Sequence, residues 1–306
     1  MSAVKILFDT DIGADCDDAG ALALLHRLCD RGEAELLAVT ACYASPHAAG
    51  CIDAINTYYG RPVPVGINHG VPPFERSVYA EQLCGEFPHR FSADSDVPDT
   101  IDLLRRTLAE AEDGSITLVV TGMLTSAAGL VMSAPDAISP LSGCELIERK
   151  IARTVVMGGR FHGTWPMQIG RDRDMRAEWN IRCDIPSAQT VCANWPGVLI
   201  FSSFEIGLWC VSLCDFVKRG RPDDPVRRAY ELHPSGRNGR ESWDLTAMLE
   251  AVRPGQYWNL HEYGCVIVDA DGVTTWQPKA GGQHTYLLPR ADYDEVREVI
   301  DRLVIE

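Results

Sequence analysis

The chain predicts an α/β protein: one domain, residues 1–306, with a mostly parallel mixed central sheet flanked by helices. Three observations carry this reading. Short apolar or β-branched runs alternate with helical patterns along the whole sequence. Its 306 residues, 46% of them apolar, suffice for one large core without demanding a second domain. Finally, the buried-strand run Val4-Lys5-Ile6-Leu7-Phe8 leads through an acidic loop into a helical pattern, Ala21 to Leu28. In open parallel sheets, such strand-to-helix loops form the edge where ligands bind.

That loop carries Asp9, Asp11, Asp15, Asp17 and Asp18, and no Lys or Arg lies between Lys5 and Arg27. Carboxylates this crowded must be paired, protonated or metal-bound if the loop is compact. Asp17 or Asp18 is expected to cap the helix, where an acid meets unpaired N–H groups and the positive dipole end. A hard divalent cation answers the crowding: calcium takes many oxygens from flexible loops, whereas magnesium keeps several waters. A solvated acidic turn is the plain alternative. An EF-hand fits poorly, because counting from Asp9 puts Gly20 where that loop needs an acid. A haloacid-dehalogenase phosphotransferase also starts Asp-x-Asp after a strand, but Gly13 stands where it places Thr or Val.

The remaining elements follow in order. Glu35 to Thr40 reads as a strand, Ser45 to Tyr59 as a helix with Pro46 in its first turn, and Pro62 to Gly66 as a short strand. Asn68 to Pro98 is rich in proline and acid and lacks periodicity, so it reads as a long surface excursion, either a lid or a plain insertion. Asp99 to Glu112 is a helix capped by Asp99 or Thr100, and Ser115 to Val120 a buried strand ending at Thr121-Gly122-Met123-Leu124-Thr125. Ile151 to Met157 is a strand ending at Gly158-Gly159, where glycine permits close backbone approach. A polar, Arg-rich loop continues to Ala177, followed by Glu178-Trp179-Asn180 and Asp184. Gly197 to Phe201 is a strand, and helices are expected over Gly207 to Lys218 and Asp224 to Leu232. Trp243-Asp244 opens another helix, Gly264 to Trp276 reads as a hairpin turning at Ala270-Asp271-Gly272, and His284 to Leu288 as the last strand. Asp292 to Val304 is a C-terminal amphipathic helix.

The strand followed by Asp9-Thr10-Asp11-Ile12-Gly13, then Asp15, Asp17, Asp18 and Ala19, resembles the nucleoside hydrolase family, the ribohydrolases that cleave the N-glycosidic bond of nucleosides. The Thr121-Gly122 turn, the Gly158-Gly159 and Glu178-Trp179-Asn180 segments, and Trp243-Asp244 extend the likeness over the chain. The resemblance implies a nucleoside hydrolase fold with a Rossmann-like core and a tightly bound calcium. It also implies hydrolysis of ribonucleosides to ribose and free base. It assigns Asp11 as general base and metal ligand, with Asp18, Asp244 and the carbonyl of Thr121 completing the calcium shell. Asp17, Glu178 and Asn180 are implied to hold ribose. Asp9 is expected to be structural, holding the loop through backbone N–H groups, and Asp15 has no assigned role. A homo-oligomer, dimer or tetramer, is implied by the same likeness.

The chemistry suits these residues. Cleavage passes through a transition state with oxocarbenium character, which a carboxylate-rich pocket stabilises. Metal charge acidifies a water, and an Asp can accept its proton. Pyrimidine-tolerant members carry His beside the last calcium Asp. Trp243 stands there instead, as in purine-preferring members that stack the leaving base, so a purine-leaning enzyme is expected, with Trp243 acting in catalysis. Ser45 stands where many members have Asn, and Asp172 at the offset of another family Asn. These departures leave a second reading: a non-catalytic or repurposed relative that binds calcium and a ribosyl or sugar ligand. A net charge of −15 argues against a nucleic-acid partner. The absence of a long apolar run argues against a membrane span. Eleven scattered cysteines without a CxxC pair suggest reduced thiols, hence a cytoplasmic protein.

Overall fold

The computed structural model describes residues 2–72, 77–91, 97–161 and 176–306. Strand β1 (Val4–Thr10) leads to α1 (Asp17–Asp30), β2 (Ala34–Ala41), α2 (Ala48–Tyr58) and β3 (Val65–Ile67). Next come α3 (Ala80–Glu86), α4 (Thr100–Glu110), β4 (Ile116–Val120), α5 (Thr125–Met132), α6 (Gly143–Lys150) and β5 (Ile151–Met157). Then follow α7 (Trp179–Cys183), α8 (Ile185–Asn194), β6 (Leu199–Ser202), α9 (Phe204–Leu208), β7 (Val211–Ser212), α10 (Phe216–Arg219) and α11 (Pro225–Leu232). The chain closes with β8 (Arg240–Glu241), α12 (Trp243–Val252), β9 (Trp258–Leu260), β10 (Gly264–Val268), β11 (Thr274–Pro278), β12 (His284–Pro289) and α13 (Tyr293–Ile305).

The main sheet runs β11-β10-β12-β6-β5-β4-β1-β2-β3, with β9 added on β12. From β3 to β6, and on to β12, the pairings are parallel. The β10–β11 hairpin and β9 supply the antiparallel edge. The expected mostly parallel mixed central sheet is therefore observed, and β7 and β8 form a separate two-stranded sheet. Chain order reverses at β1, with β2 on one side and β4 on the other, so the crevice at their carboxyl ends is a topological switch point.

Alternation along β1 divides the core. Ile6 and Phe8 face a cluster with Leu22, Leu25 and Leu28 of α1, Met248 and Leu249 of α12 and Ile300 of α13. Leu7 faces Leu104 of α4, Leu118 and Val120 of β4, Leu130 of α5 and Ile147 of α6. Each fully buried leucine of α1 contributes about 1.5–3 kcal/mol relative to exposure, which seats the N-terminus of α1 firmly against the sheet edge. All eleven cysteines are unbridged, and no helix among the described residues is long and apolar enough to cross a membrane.

Several expectations need correction. The region Gly207 to Lys218 is not one helix but α9, β7 and α10. Leu213 takes a positive φ of 57°, which breaks helical continuity, and β7 pairs with β8 instead. Helix α2 starts at Ala48 rather than Ser45, and β3 at Val65 rather than Pro62. Helix α6 was not anticipated, although Ser142 and Glu145 form a complete capping box, a signal the sequence does carry. The 68–98 excursion is no plain surface loop: within it α3 is anchored by Tyr79, Ala80 and Leu83, all fully buried. The Arg-rich stretch before Ala177, including Asp172, lies largely outside the described residues.

Candidate active site

The carboxyl end of β1 delivers Asp9 and Asp11, and the chain then turns through Gly13, whose φ of +128° is open mainly to glycine. Asp17 and Asp18 occupy the first turn of α1, but neither caps it: Cys16 is the N-cap position and makes no side-chain capping bond. Their side chains turn into the crevice. Asp17 Oδ2 accepts from the backbone N–H of Asp244 at 3.2 Å, so it serves the N-terminus of α12 instead. Asp17, Asp18 and Asp244 thus meet from two helix N-termini, with ligand oxygens all within 4.8 Å of one another. Burial first, then the neighbouring negative charges, push all three well above the usual carboxylate range.

Asp11 lines the same cavity beside Asp18, and a hydrogen bond between the two carboxyl groups helps to raise Asp18. Thr10 Oγ1 donates to Asp18 Oδ1 over a short contact, and Thr121 Oγ1 donates to the same oxygen at 3.4 Å. Gly122 permits this assembly: a Cβ there would lie 2.8 Å from the Asp11 nitrogen. Asp9 is buried outside the cavity and accepts from Thr40 Oγ1 at 2.6 Å. Burial, only partly opposed by Thr40, raises it to about 7. It therefore braces the neighbouring strand through a side chain, not through the expected backbone N–H groups.

Glu178 and Asn180 reach the cavity from the start of α7. Glu178 caps that helix, accepting from the N–H groups of Asn180 at 2.9 Å and Ile181 at 3.1 Å. It also accepts from Gly159 at 3.3 Å, and burial raises it to about 7. Asn180 Nδ2 donates to the carbonyls of Thr121 at 2.7 Å and Met157 at 3.2 Å. The Thr121 carbonyl keeps a second lone pair for another partner. The resulting cavity, about 260 Å³, is lined by these acids together with the aromatic rings of Trp179, Phe204 and Trp243. Trp243 Nε1 donates to the Phe204 carbonyl at 2.9 Å, and the two rings stack at 5.5 Å.

Two contributors escaped the sequence reading. Arg240 pairs with Asp15 at 2.5 Å, so the loop does receive a cation, from far along the chain. Burial alone would raise Asp15, but hydrogen bonds and charge from Arg240 outweigh it and hold the acid below its ordinary value. The second is Tyr79, whose hydroxyl accepts from Gly13 N at 3.0 Å and donates to the Asp15 carbonyl at 2.8 Å. The excursion thereby clamps the acidic loop. Tyr79→Phe should cost about 1–3 kcal/mol, the price of stranding buried polar groups, in a urea unfolding titration. An unchanged midpoint would show that the Val78 N–H, 2.7 Å from the Gly13 carbonyl, holds the loop without it.

The donor set of the three clustered acids is oxygen only, which suits a hard cation and not a thiophilic metal. The model for the family described as inosine-uridine preferring nucleoside hydrolase matches residues 6–279. No curated protein matches the chain in sequence. Among solved structures, the inosine-uridine preferring nucleoside hydrolase from Bacillus anthracis is 22% identical, with a TM-score of 0.74, over 98% of this chain and 99% of that one. A purine-preferring ribonucleoside hydrolase from Gardnerella vaginalis is 16% identical, with a TM-score of 0.72, over 98% of each chain. The type III effector XopQ, solved with adenosine diphosphate ribose, is 14% identical, with a TM-score of 0.69, over 99% of this chain and 94% of that one.

Proposed function

The chain belongs to the inosine-uridine preferring nucleoside hydrolase family, a metal-dependent family, and from that premise we propose a calcium-dependent ribonucleoside N-ribohydrolase that favours purines. One observation carries the reading: buried Asp17, Asp18 and Asp244, with Asp11 beside them, share a single cavity with an aromatic wall. Asp11, Asp18, Asp244 and the Thr121 carbonyl would hold the cation, Asp17 being close enough to join them. When bound, a divalent cation supplies the charge that acidifies a water. Asp11 takes that water's proton as general base. Asp17, Glu178 and Asn180 orient the ribose hydroxyls, and the remaining acids stabilise positive charge developing at C1′. Free thiols throughout suit a reducing, cytoplasmic setting. The test is base release from inosine, adenosine, guanosine and uridine, with and without chelator; no release in the presence of calcium overturns the reading.

Purine preference rests on the aromatic wall. Stacking is worth on the order of 1 kcal/mol beyond area burial, so Trp243→Ala should lower purine turnover about tenfold and uridine turnover much less. Equal losses for both classes would reduce Trp243 to packing against Phe204. The second reading, a ligand-binding relative without turnover, is favoured by one contact set: the Asn180 amide nitrogen is engaged by main-chain carbonyls, so its Oδ1 is the atom that would meet a ribose hydroxyl. Binding of adenosine diphosphate ribose without base release would establish it.

A further inference from the structure

We propose that Arg240, fixed by Asp15, stabilises the departing base in this site. The proposal rests on the hydrolase reading above and adds the leaving-group side that the carboxylates cannot serve. Arg240 is the one cationic side chain among the described residues lining the cavity, and no histidine is among them. Its guanidinium carbon lies 4.8 Å from the centre of the Trp243 ring, on the aromatic wall where a base would lie. Trp243 offers no donor there, because its Nε1 is engaged by the Phe204 carbonyl. Glu178 accepts from three backbone N–H groups, which favours its ionised form and leaves it an acceptor for hydroxyls, not a donor to the base.

The guanidinium is held as a fork. Nε donates to Asp15 Oδ1 at 2.9 Å and Nη2 to Asp15 Oδ2 at 2.5 Å, while Nη1 donates to Glu241. Guanidinium carries an N–H on Nε and two on each terminal nitrogen, so each Nη keeps one N–H beyond those used by Asp15 and Glu241. A cation so pinned loses little freedom when it meets charge that develops during reaction. This also gives Asp15 a purpose: it orients Arg240.

Water oxygen bonds to C1′ and its proton passes to Asp11. The C1′–N bond breaks and its pair leaves with the base. Arginine does not surrender a proton in proteins, so Arg240 stabilises the departing anion by hydrogen bonding and charge. The base then takes a proton from solvent water, and Asp11 returns its own to solvent.

The experiment compares inosine, whose base is a poor leaving group, with p-nitrophenyl β-D-ribofuranoside, whose nitrophenolate departs without help. Wild type, Arg240→Gln and Arg240→Lys are assayed as full-length protein with calcium, beside melting curves. Removing one donor aimed at developing charge typically costs about 10²–10³ in kcat. Arg240→Gln should therefore lose about 100-fold or more on inosine and less than about tenfold on the nitrophenyl riboside, with Arg240→Lys between wild type and Gln on inosine. Equal losses on both substrates, or no loss on inosine, overturn the proposal, the former showing that the pair only holds the loop together. Turnover of the nitrophenyl riboside by Arg240→Gln also reports that the variant has folded. If wild type cleaves neither substrate, the hydrolase reading itself fails and takes this one with it; wild-type turnover with equal losses sinks this one alone.

Discussion

Replacing Asp11 with Asn should cut kcat by about 10²–10⁴, the usual contribution of a positioned general base, while the melting temperature changes little. Asp11 directly follows the last residue of β1, is 8% exposed, and lines the cavity beside the clustered acids. An amide fills the same space and can still offer an oxygen to a cation, but it cannot accept the proton of the attacking water. Separating base from ligand requires calcium titration of the variant by calorimetry alongside turnover. Retained calcium binding with lost turnover assigns the base role. Lost binding with lost turnover makes Asp11 chiefly a ligand, and wild-type turnover removes it from the mechanism.

Calcium should raise the melting temperature of chelator-treated protein by several degrees, in step with about 3 kcal/mol of added stability when free calcium reaches about 100 times Kd. The physical cause is the repulsion among Asp17, Asp18 and Asp244, each raised by burial and by its neighbours' charges. The pH dependence has a definite sign. A carboxyl group with a folded pKa above its unfolded value binds more protons when folded, so stability falls as pH rises past the unfolded value near 3.8. Chelated protein should thus lose stability as pH rises above about 4, and calcium, which binds the deprotonated acids, should oppose that loss. Equal melting temperatures with and without calcium across this range would remove the cation from the site.

The alternation of strands and helices was legible because burial leaves a period. Strands β1, β4 and β5 read as short runs rich in apolar and β-branched residues, since a parallel sheet is covered on both faces. The acidic loop at the end of β1 was legible for a chemical reason: so many carboxylates in one turn need an explanation wherever the chain folds. Distant Asp244 was reached only through the family likeness, as its own neighbours carry no signal for a metal. Where local pattern failed, a tertiary contact had won. The stretch after α9 has helical spacing, but pairing of β7 with β8 and the positive φ of Leu213 override it.

By itself, then, the sequence determined the α/β class, the order of the sheet-forming runs, and the loop around which the site is built. Tertiary structure decided how that loop is held and balanced. Asp15 found its cation 225 residues away in Arg240, and Tyr79 tied down Gly13 and Asp15 from an excursion without periodicity. Asp17 joined Asp18 and Asp244 because two helix N-termini converge on the switch point. Periodicity records only which face of an element is buried. Which distant charge or hydroxyl meets that face depends on closing the chain around the sheet, and no local pattern encodes it.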